Sequence, residues 1–366
     1  MKIGIYGGTF NPPHKTHVNI AFAAKAQLGL DKLLVVPGGT PPHKPCDVDR
    51  QTRLALTKLA FEGVGEVSET EIWREGKTYT ADTVEQIAAE YPDAELYLVI
   101  GGDSLCHFDE WYEPWRIAKY VTLAVAARVG NTPDAADFVR DKYGCNVTFL
   151  QFEPNDVSSS EIRLRYRFGM DNSDFVPKAV DDFVFANNLY SEYRSLAIKL
   201  KEYLTEKRFL HTFYVVKRGQ ELCCNNISAD KAYIACLLHD CAKYISPEHY
   251  DRYGFCPPGD MPQSVIHAFL GAVVAQVDFG INDTEILDAI KYHCTARPNM
   301  TELEMLVYVA DKTEQTRPYP TEHLLVGTLK DMFVACLEEA NSFCLTNHAD
   351  NVYYLTKQAL DFYAKK

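Results

Sequence analysis

Several common sequence signatures are missing from this chain of 366 residues. It contains no Gly-x-x-x-x-Gly-Lys-Ser/Thr segment, and no Gly-x-Gly-x-x-Gly follows a strand pattern. Neither a P-loop nor a common dinucleotide fingerprint therefore applies. Its apolar runs are far shorter than the ~18–20 residues of a membrane span, so we expect no membrane contact. Its eleven cysteines include no Cys-x-x-Cys pair of the kind that binds metals.

The chain also lacks an excess of positive charge. Lys and Arg number 37 against 50 Asp and Glu, a net charge of −13, and acidic residues predominate both before and after Ser191. Neither half therefore resembles a basic nucleic-acid surface, and we expect no nucleic-acid partner. A phosphorylated small molecule is compatible with this charge, because helix ends, local Lys/Arg and Mg²⁺ supply positive potential where it is needed.

The cysteine pattern bears on the compartment. Several cysteines lie inside helical patterns, namely Cys236, Cys241, Cys336 and Cys344. We find no signal-peptide pattern, so we expect buried reduced thiols and a cytoplasmic protein.

The chain is long enough for two domains, since single cores rarely grow past about 250–300 residues. Up to about residue 150, short and nearly all-apolar strand patterns alternate with helical ones: Ile3–Tyr6, Leu33–Val36, Leu96–Ile100, Val121–Ala126 and Val147–Leu150. Such strands are buried on both faces, which predicts an α/β fold with a doubly wound, Rossmann-like parallel sheet.

The second part of the chain has a different pattern. After Tyr190 the strand signal ends, and helical patterns run from about Tyr193 to the C-terminus. We therefore expect an all-α helical bundle and place the boundary near Ser191, which gives domains 1–191 and 192–366.

The first seventeen residues predict an anion site. Lys2–Tyr6 reads as a strand, Gly7 to Pro13 as a tight loop, and the segment from His14 to His17 as the start of a helix. A glycine turn feeding a helix N-terminus directs N–H groups and the positive helix dipole at one spot. The two histidines would donate hydrogen bonds to phosphoryl oxygens there. The alternative is an ordinary strand-to-helix turn with one capping and one solvated histidine.

A second anion cradle follows the last predicted strand. Ser158-Ser159-Ser160 places hydroxyl and N–H groups at a helix start, and Arg163 lies one turn later. Alone, this segment favours a simple helix cap beside a surface arginine, and only together with the histidine loop does it favour a phosphate site. Gly101-Gly102-Asp103 follows another strand, at the sheet edge where doubly wound folds bind their ligands.

In order along the chain, these segments resemble the bacterial nicotinate-nucleotide adenylyltransferases of the nucleotidyltransferase superfamily. The resemblance rests on the run Gly7 to His17, Pro41-Pro42-His43-Lys44, Thr78 to Thr83, Ile100 to Ser104, Trp111-Tyr112, Ser158 to Arg163 and Asn188-Leu189-Tyr190. It implies that the phosphate of nicotinate mononucleotide attacks the α-phosphorus of ATP, giving nicotinate adenine dinucleotide and pyrophosphate.

The resemblance also implies roles for single residues. His14 and His17 would contact the triphosphate, Ser159 and Arg163 would clamp it, and Mg²⁺ would bridge its oxygens. The wider set of implied nucleotide contacts in this half is Gly7, Gly8, Thr9, Phe10, Lys44, Thr80, Gly101, Gly102, Asp103, Trp111 and Ser158.

The resemblance assigns some of these residues to ATP and others to the acceptor nucleotide. Asp103 would accept from the adenosine ribose hydroxyls. Trp111 would stack on the pyridine ring, Thr80 would read its carboxylate, and Lys44 would contact the nucleotide phosphate. The chain departs from the family pattern at Asn11, where Asp is usual, and at Thr16, where Gly is usual.

The helical half carries a separate set of metal-ligand residues. His239-Asp240 ends a helical run, and further His and Asp residues lie in separate helical patterns: His211, His267, His293 and Asp311. Imidazole and carboxylate ligands suit Fe, Mn or Zn, and separate helices converge in a bundle core. A bridging Asp240 would hold two ions about 3.5–4 Å apart, as in sites that hydrolyse phosphate esters. The alternative is a bundle with scattered, unrelated histidines.

This set is similar to the HD-domain phosphohydrolases, and within them to the YqeK group. That resemblance implies symmetrical hydrolysis of diadenosine tetraphosphate to two ADP on a dinuclear transition-metal site, for which we expect Fe, with Mn or Zn as alternatives. Lys243 and Arg317 are the residues implied to hold phosphate oxygens. Cys294 departs from the common residue at its position and is not among the implied ligands.

The sequence therefore predicts a bifunctional enzyme, an adenylyltransferase joined to a phosphohydrolase, whose substrates are ATP, nicotinate mononucleotide and diadenosine tetraphosphate. Two alternatives stay open. One half could be a degenerate nucleotide-sensing module, or the transferase could use another phosphorylated acceptor, such as pantetheine phosphate or nicotinamide nucleotide. The sequence leaves assembly into a homo-oligomer open.

Overall fold

The computed structural model describes residues 1–40, 46–127, 133–152, 157–224, 226–347 and 352–364. The chain divides into two compact units. The first comprises Met1–Tyr166 with Met170–Ser191, and the second comprises Arg167–Gly169 with Glu192–Lys366.

The first unit is built on a six-stranded sheet whose paired strands are all parallel, in the order β3-β2-β1-β4-β5-β6. Its strands are β1 (Lys2–Gly8), β2 (Lys32–Pro37), β3 (Glu66–Val67), β4 (Glu95–Gly101), β5 (Val121–Ala126) and β6 (Val147–Leu150). The strand order reverses between β1 and β4, as in doubly wound folds. The predicted fold class of this half is confirmed.

Two hydrophobic cores cover the two faces of the sheet. Side chains alternate along β1, so that Ile5 packs into one core and Tyr6 into the other. This double burial explains why the strands read as nearly continuous apolar runs. The strand β3 was not predicted, because its two residues are too short to show any periodicity.

Helices connect and flank these strands. They are α1 (Lys15–Leu28), α2 (Arg50–Ala60), α3 (Thr80–Glu90), α4 (Gly102–Cys106), α5 (Pro114–Ala118), α6 (Pro133–Tyr143), α7 (Ser159–Arg167) and α8 (Lys178–Ala186), with a 3₁₀ turn at Phe108–Glu110.

The described part of the second unit contains helices and no strand, which confirms the predicted all-α class. Its helices are α9 (Arg194–Lys201), α10 (Glu206–Leu222), α11 (Ala229–Leu238), α12 (Gln263–Val277), α13 (Thr284–Tyr292), α14 (Glu302–Thr313), α15 (Leu329–Asn347) and α16 (Tyr354–Tyr363), with 3₁₀ turns at Pro247–Tyr253 and Glu322–Leu324.

Side-chain caps set where several of these helices begin. Thr205 caps α10 and Ser228 caps α11, each accepting from the main-chain N–H of the third residue of its helix. Thr301 and Glu304 form a reciprocal capping box at the start of α14. These caps fix the ends of helices that carry the candidate metal ligands.

Cysteine burial follows the expectation in part. Cys236, Cys241 and Cys336 are buried free thiols, whereas Cys344 is only partly buried. Within the described ranges, we find no helix with both the length and the apolar character that a bilayer crossing requires.

Candidate active sites

The first candidate site lies where β1 and β4 end side by side. Doubly wound sheets bind ligands in the crevice beyond their strand ends at such a reversal. β1 runs on through Gly7 and Gly8, so the loop predicted from Gly7 onward begins only after Gly8. Gly101 ends β4 and caps α4. The predicted nucleotide residues Gly101, Gly102 and Asp103 therefore stand at this edge, with Asp103 exposed to solvent.

Packing against Phe10 gives a reason for glycine at position 8. A Cβ at this position would lie 2.8 Å from the Phe10 ring, whereas a Cβ on Gly7 would meet nothing within 4 Å. The Phe10 ring is 2% exposed and packs edge-on against Tyr6, Phe61 and His17. The structure therefore places the side chain of Phe10 in the core, although we predicted a nucleotide contact there, and only its main chain is available to a ligand.

The two histidines form a compact pair. His14 caps α1, and its main-chain N–H donates to His17 Nδ1 at 3.1 Å. The ring centroids are 3.8 Å apart. Burial lowers the pKa of His14 to about 4, and burial together with the nearby His14 holds the pKa of His17 well below its usual range. Both rings are therefore neutral near pH 7. Because Nδ1 of His17 accepts, its Nε2 carries the proton and can donate to an anion.

The second anion cradle lies against the first loop. Ser159 Oγ donates to the main-chain oxygen of Pro12 at 2.9 Å. Arg163 donates to the main-chain oxygen of Asn11 at 2.8 Å and to Ser160 Oγ at 3.2 Å, and Ser158 Oγ caps the helix start. The structure thus brings the N-terminus of α7 and the loop before α1 to one place.

The predicted acceptor residues occupy different environments. Thr80 is the first residue of α3, and the preceding Tyr79 stacks on Tyr112 with ring centroids 4.2 Å apart. Trp111 is half-buried beside Phe108, with centroids 5.5 Å apart. Lys44, together with Pro41, Pro42 and His43, lies outside the described residues.

In the second unit, the six predicted metal ligands converge from five helices. They are His211 in α10, His239 and Asp240 just after α11, His267 in α12, His293 just after α13, and Asp311 in α14. All six are buried, with exposures of 8% or less.

Asp240 lies between two pairs of histidines. Its Oδ1 is 3.0 Å from Nε2 of His267 and 3.6 Å from Nε2 of His293. Its Oδ2 is 3.4 Å from Nε2 of His239 and 3.9 Å from Nε2 of His211. The carboxylate can therefore bridge two ions, one on each side.

Asp311 completes the side that faces His211 and His239. Its Oδ1 is 3.2 Å from Nε2 of His211 and 3.8 Å from Nε2 of His239. This side therefore presents two imidazoles and two carboxylates.

The histidines are oriented by their other ring nitrogens. Nδ1 of His239 and Nδ1 of His293 each lie 2.7 Å from a main-chain oxygen three residues earlier in the chain. Nδ1 of His211 lies 3.2 Å from Glu314 Oε1. Such contacts hold the proton on Nδ1 and leave Nε2 unprotonated, as a metal ligand must be.

Three inward-facing atoms have no hydrogen-bond partner although they are buried: Nε2 of His211, Nε2 of His239, and Oδ1 of Asp240. Buried polar atoms are normally satisfied, and bound cations satisfy them in metal sites. The donor set consequently fits a divalent ion.

Cys294 lies on the second side of the cluster. Its Sγ is 3.2 Å from Nε2 of His293 and 3.4 Å from Nε2 of His267. These three side chains and the set His211, His239 and Asp240 form two groups with metal-site spacing. We predicted that Cys294 is not a ligand, and the structure places its sulfur beside two of the predicted ligands.

Basic side chains surround the carboxylates. Arg317 lies 2.6 Å from Asp311 Oδ1, and Lys312 lies 2.7 Å from Asp311 Oδ2. Burial alone would raise the pKa of Asp311, but these two cations hold it well below its usual range. Lys243 Nζ is 3.0 Å from Nε2 of His267 and 3.9 Å from Asp240 Oδ1. Lys243 and Arg317 thus lie beside the cluster.

Comparison with known proteins identifies both halves. A cytidylyltransferase-like family model matches residues 5–165, and an HD-domain model matches residues 208–316. The Salinibacter ruber protein named "Probable nicotinate-nucleotide adenylyltransferase" is 37% identical over 196 residues, which cover 52% of this chain and 98% of that protein. The chain belongs to the nicotinate-nucleotide adenylyltransferase family. Its second half adds an HD domain, the domain type that implies divalent metal binding.

Another relative spans both halves. The Mycoplasma genitalium protein named "Probable nicotinate-nucleotide adenylyltransferase/Ap4A hydrolase" is 29% identical over 327 residues, which cover 87% of this chain and 88% of that protein. A solved HD superfamily hydrolase from Clostridium acetobutylicum is 25% identical, with a TM-score of 0.42, and covers 47% of this chain and 97% of its own. The two family models and the sequence matches confirm the predicted family resemblance.

The structure explains one departure from the family pattern. The Asn11 amide donates to Asp47 at 3.2 Å and its carbonyl accepts from Tyr190 Oη at 2.8 Å. Asp47 in turn pairs with Arg163 at 2.7 Å. An aspartate at position 11 could not donate to Asp47. Asparagine at position 11 therefore fits a chain that has a carboxylate at position 47. Sequence reasoning missed Asp47, which carries no motif.

A buried arginine also escaped the sequence analysis. Arg53 in α2 is 2% exposed and donates to the main-chain oxygens of Thr9 at 3.1 Å and Gly39 at 2.6 Å, and also to that of Gly38. It thus joins the loop after β1 to the loop after β2. In the second unit, Arg208, which donates to Asp240 at 2.9 Å, was missed for the same reason: a basic residue in a helix normally faces solvent.

Proposed function

We propose that the chain is a bifunctional enzyme. Residues 1–191 would transfer AMP from ATP to nicotinate mononucleotide, and residues 192–366 would hydrolyse diadenosine tetraphosphate to two ADP. The observation that carries the proposal is the presence of two chemically different clusters of side chains. One is a neutral histidine pair beside an Arg163 cradle, and the other is a carboxylate between two histidine pairs.

In the transferase, an oxygen of the nicotinate nucleotide phosphate would attack the α-phosphorus of ATP. The bond from that phosphorus to the oxygen bridging the α- and β-phosphates would break, and pyrophosphate would leave. Mg²⁺ would supply positive charge beside the phosphate oxygens when it is bound. His14 and His17 would donate N–H groups to the phosphoryl oxygens as negative charge develops on them. Ser158, Ser159 and Arg163 would hold the triphosphate, so that catalysis is positioning plus charge stabilisation.

The other predicted residues at this edge of the sheet would bind the ribose of ATP and the acceptor nucleotide. Asp103 would accept from the ribose hydroxyls of ATP beside the Gly101 and Gly102 backbone. Trp111 would stack on the pyridine ring and Thr80 would bind its carboxylate. Gly7, Gly8, Thr9 and the main chain of Phe10 would line the phosphate path, and Lys44 would contact the acceptor phosphate.

In the HD domain, His211, His239, Asp240 and Asp311 would hold one divalent ion, and Asp240, His267 and His293 would hold the other. Iron is the metal we propose, with Mn and Zn as alternatives. Such a pair of ions supplies charge stabilisation for a phosphoryl group and activates water. Lys243 and Arg317 would bind phosphate oxygens of diadenosine tetraphosphate and orient its central anhydride bond, which water cleaves to give two ADP.

Product analysis tests both halves. The purified full-length chain is incubated with MgATP and either nicotinate mononucleotide, nicotinamide mononucleotide or pantetheine phosphate, and separately with diadenosine tetraphosphate and Fe²⁺, Mn²⁺ or Zn²⁺. We expect nicotinate adenine dinucleotide from the first acceptor and two ADP from the hydrolysis. Preference for another acceptor, or release of ATP and AMP from the tetraphosphate, would overturn the corresponding assignment.

A further inference from the structure

Cys294 lies against two of the predicted metal ligands. It follows His293 directly after α13, and its Sγ faces the Nε2 atoms of His293 and His267 at 3.2 and 3.4 Å. The nearby buried Cys241 behaves differently, since its thiol donates to the main-chain oxygen of Gly271 at 3.4 Å. The Cys294 sulfur therefore points at the same space as the two imidazoles.

The distances match the edges of a tetrahedral metal site. Metal–nitrogen bonds of about 2.0–2.1 Å and a metal–sulfur bond of about 2.3 Å place neighbouring N and S donors about 3.5 Å apart, and N and O donors about 3.4 Å apart. The observed N···S distances are 3.2 and 3.4 Å, and the N···O distances from Asp240 Oδ1 are 3.0 and 3.6 Å. All four edges agree with one ion within a few tenths of an ångström.

A separate observation points to a ligand at the same place. Asp240 is 2% exposed, and its Oδ1 makes no hydrogen bond although it lies 3.0 Å from His267. An oxygen and a ring nitrogen at that distance without hydrogen-bonding geometry are arranged as two donors that face a common cation.

We infer that the Cys294 thiolate is a ligand of the second metal ion, together with His267, His293 and Asp240. The inference rests on the proposed two-ion function. It goes beyond that function because it gives the two metal positions different kinds of ligand. His211, His239, Asp240 and Asp311 offer nitrogen and oxygen only, whereas the second position has a soft sulfur donor. Thiolate ligands favour Zn²⁺ and Fe²⁺ over Mn²⁺, so the second position should reject Mn²⁺ more strongly than the first.

Cobalt substitution of the full-length chain tests this inference. The chelator-treated protein is titrated with Co²⁺, and bound ions and the near-ultraviolet thiolate-to-cobalt absorption are measured. We expect two ions per chain and a charge-transfer band in the unchanged protein. Cys294→Ser should lose the band. It should also weaken binding of the second ion about 10–100-fold or more, because changes to residues outside the ligand shell already lower metal affinity by that factor. Retained binding of the first ion shows that this variant is folded.

Cys336→Ser is the matched control, since it makes the same change at a buried thiol outside the cluster. It should keep both ions and the band. Two bound ions without the band in the unchanged protein, or an unaltered second ion in Cys294→Ser, would overturn the role of Cys294 while the two-ion site stands. Fewer than two bound ions in the unchanged protein would overturn the two-ion site, and the role of Cys294 with it.

Discussion

The His14–His17 pair shows how a single local contact sets chemistry. The main-chain N–H of His14 donates a hydrogen bond to Nδ1 of His17, so this nitrogen carries no proton. His17 is therefore a neutral N–H donor through Nε2 and not a fixed positive charge. An incoming triphosphate would raise the pKa of both rings, because an anion favours the imidazolium. The spacing of the two histidines was visible in the sequence, but the burial that keeps them neutral was not.

The first prediction concerns the titration of His14. Its pKa of about 4 lies below the ordinary 6.5, so the folded protein binds fewer protons than the unfolded chain between these values. Folding stability should therefore fall as the pH drops from about 6.5 towards 4. NMR of the imidazole protons, assigned with His14→Gln, should give a midpoint near 4 that rises when MgATP is added. A midpoint near 6.5 in the free protein would contradict the buried, neutral ring.

A second prediction tests the Asn11 network. Asn11→Asp places a carboxylate beside Asp47 and removes a donor, which should destabilise the first unit by about 1–3 kcal/mol. Adding Asp47→Asn restores the donor and should recover much of that loss. Thermal unfolding of the single and double variants measures the coupling, and strictly additive effects would show that Asn11 and Asp47 do not act together.

At the scale of elements, most of the architecture was readable from the sequence because burial on both sheet faces makes strands apolar throughout. The strand β3 was missed because it has only two residues. The continuation of β1 through Gly8 was missed because its two glycines suggested a turn. Arg53 was missed because a basic residue in a helix normally faces solvent, whereas here it donates to main-chain oxygens of two loops.

The third prediction concerns α2 and the loops it anchors. Arg53→Met removes the hydrogen bonds to the main-chain oxygens of Thr9 and Gly39 and should destabilise the first unit by about 2–3 kcal/mol and raise KM for ATP. Arg50→Met, on the exposed side of the same helix, is the control and should leave both quantities nearly unchanged. Denaturant unfolding and steady-state kinetics check the prediction. Equal effects of the two substitutions would contradict the anchoring role.

At the scale of the whole molecule, the succession of motifs was sufficient to predict two different folds and the family. It was not sufficient to predict the surroundings of the ligands. The sequence placed Cys294 outside the metal set because the family pattern has no cysteine there, and only the geometry brings its sulfur within 3.4 Å of two histidines. Convergence of residues from separate helices is a property of packing.

The fourth prediction tests the central claim that two independent active sites share this chain. His17→Ala and Asp240→Ala are each assayed in the full-length protein for adenylyl transfer to nicotinate mononucleotide and for hydrolysis of diadenosine tetraphosphate, with bound metal counted. His17→Ala should lower kcat of the transfer by about 10²-fold or more and leave hydrolysis and metal content unchanged. Asp240→Ala should abolish metal binding and hydrolysis and leave the transfer unchanged. Loss of both activities in either variant, or near-normal values in both, would contradict the account.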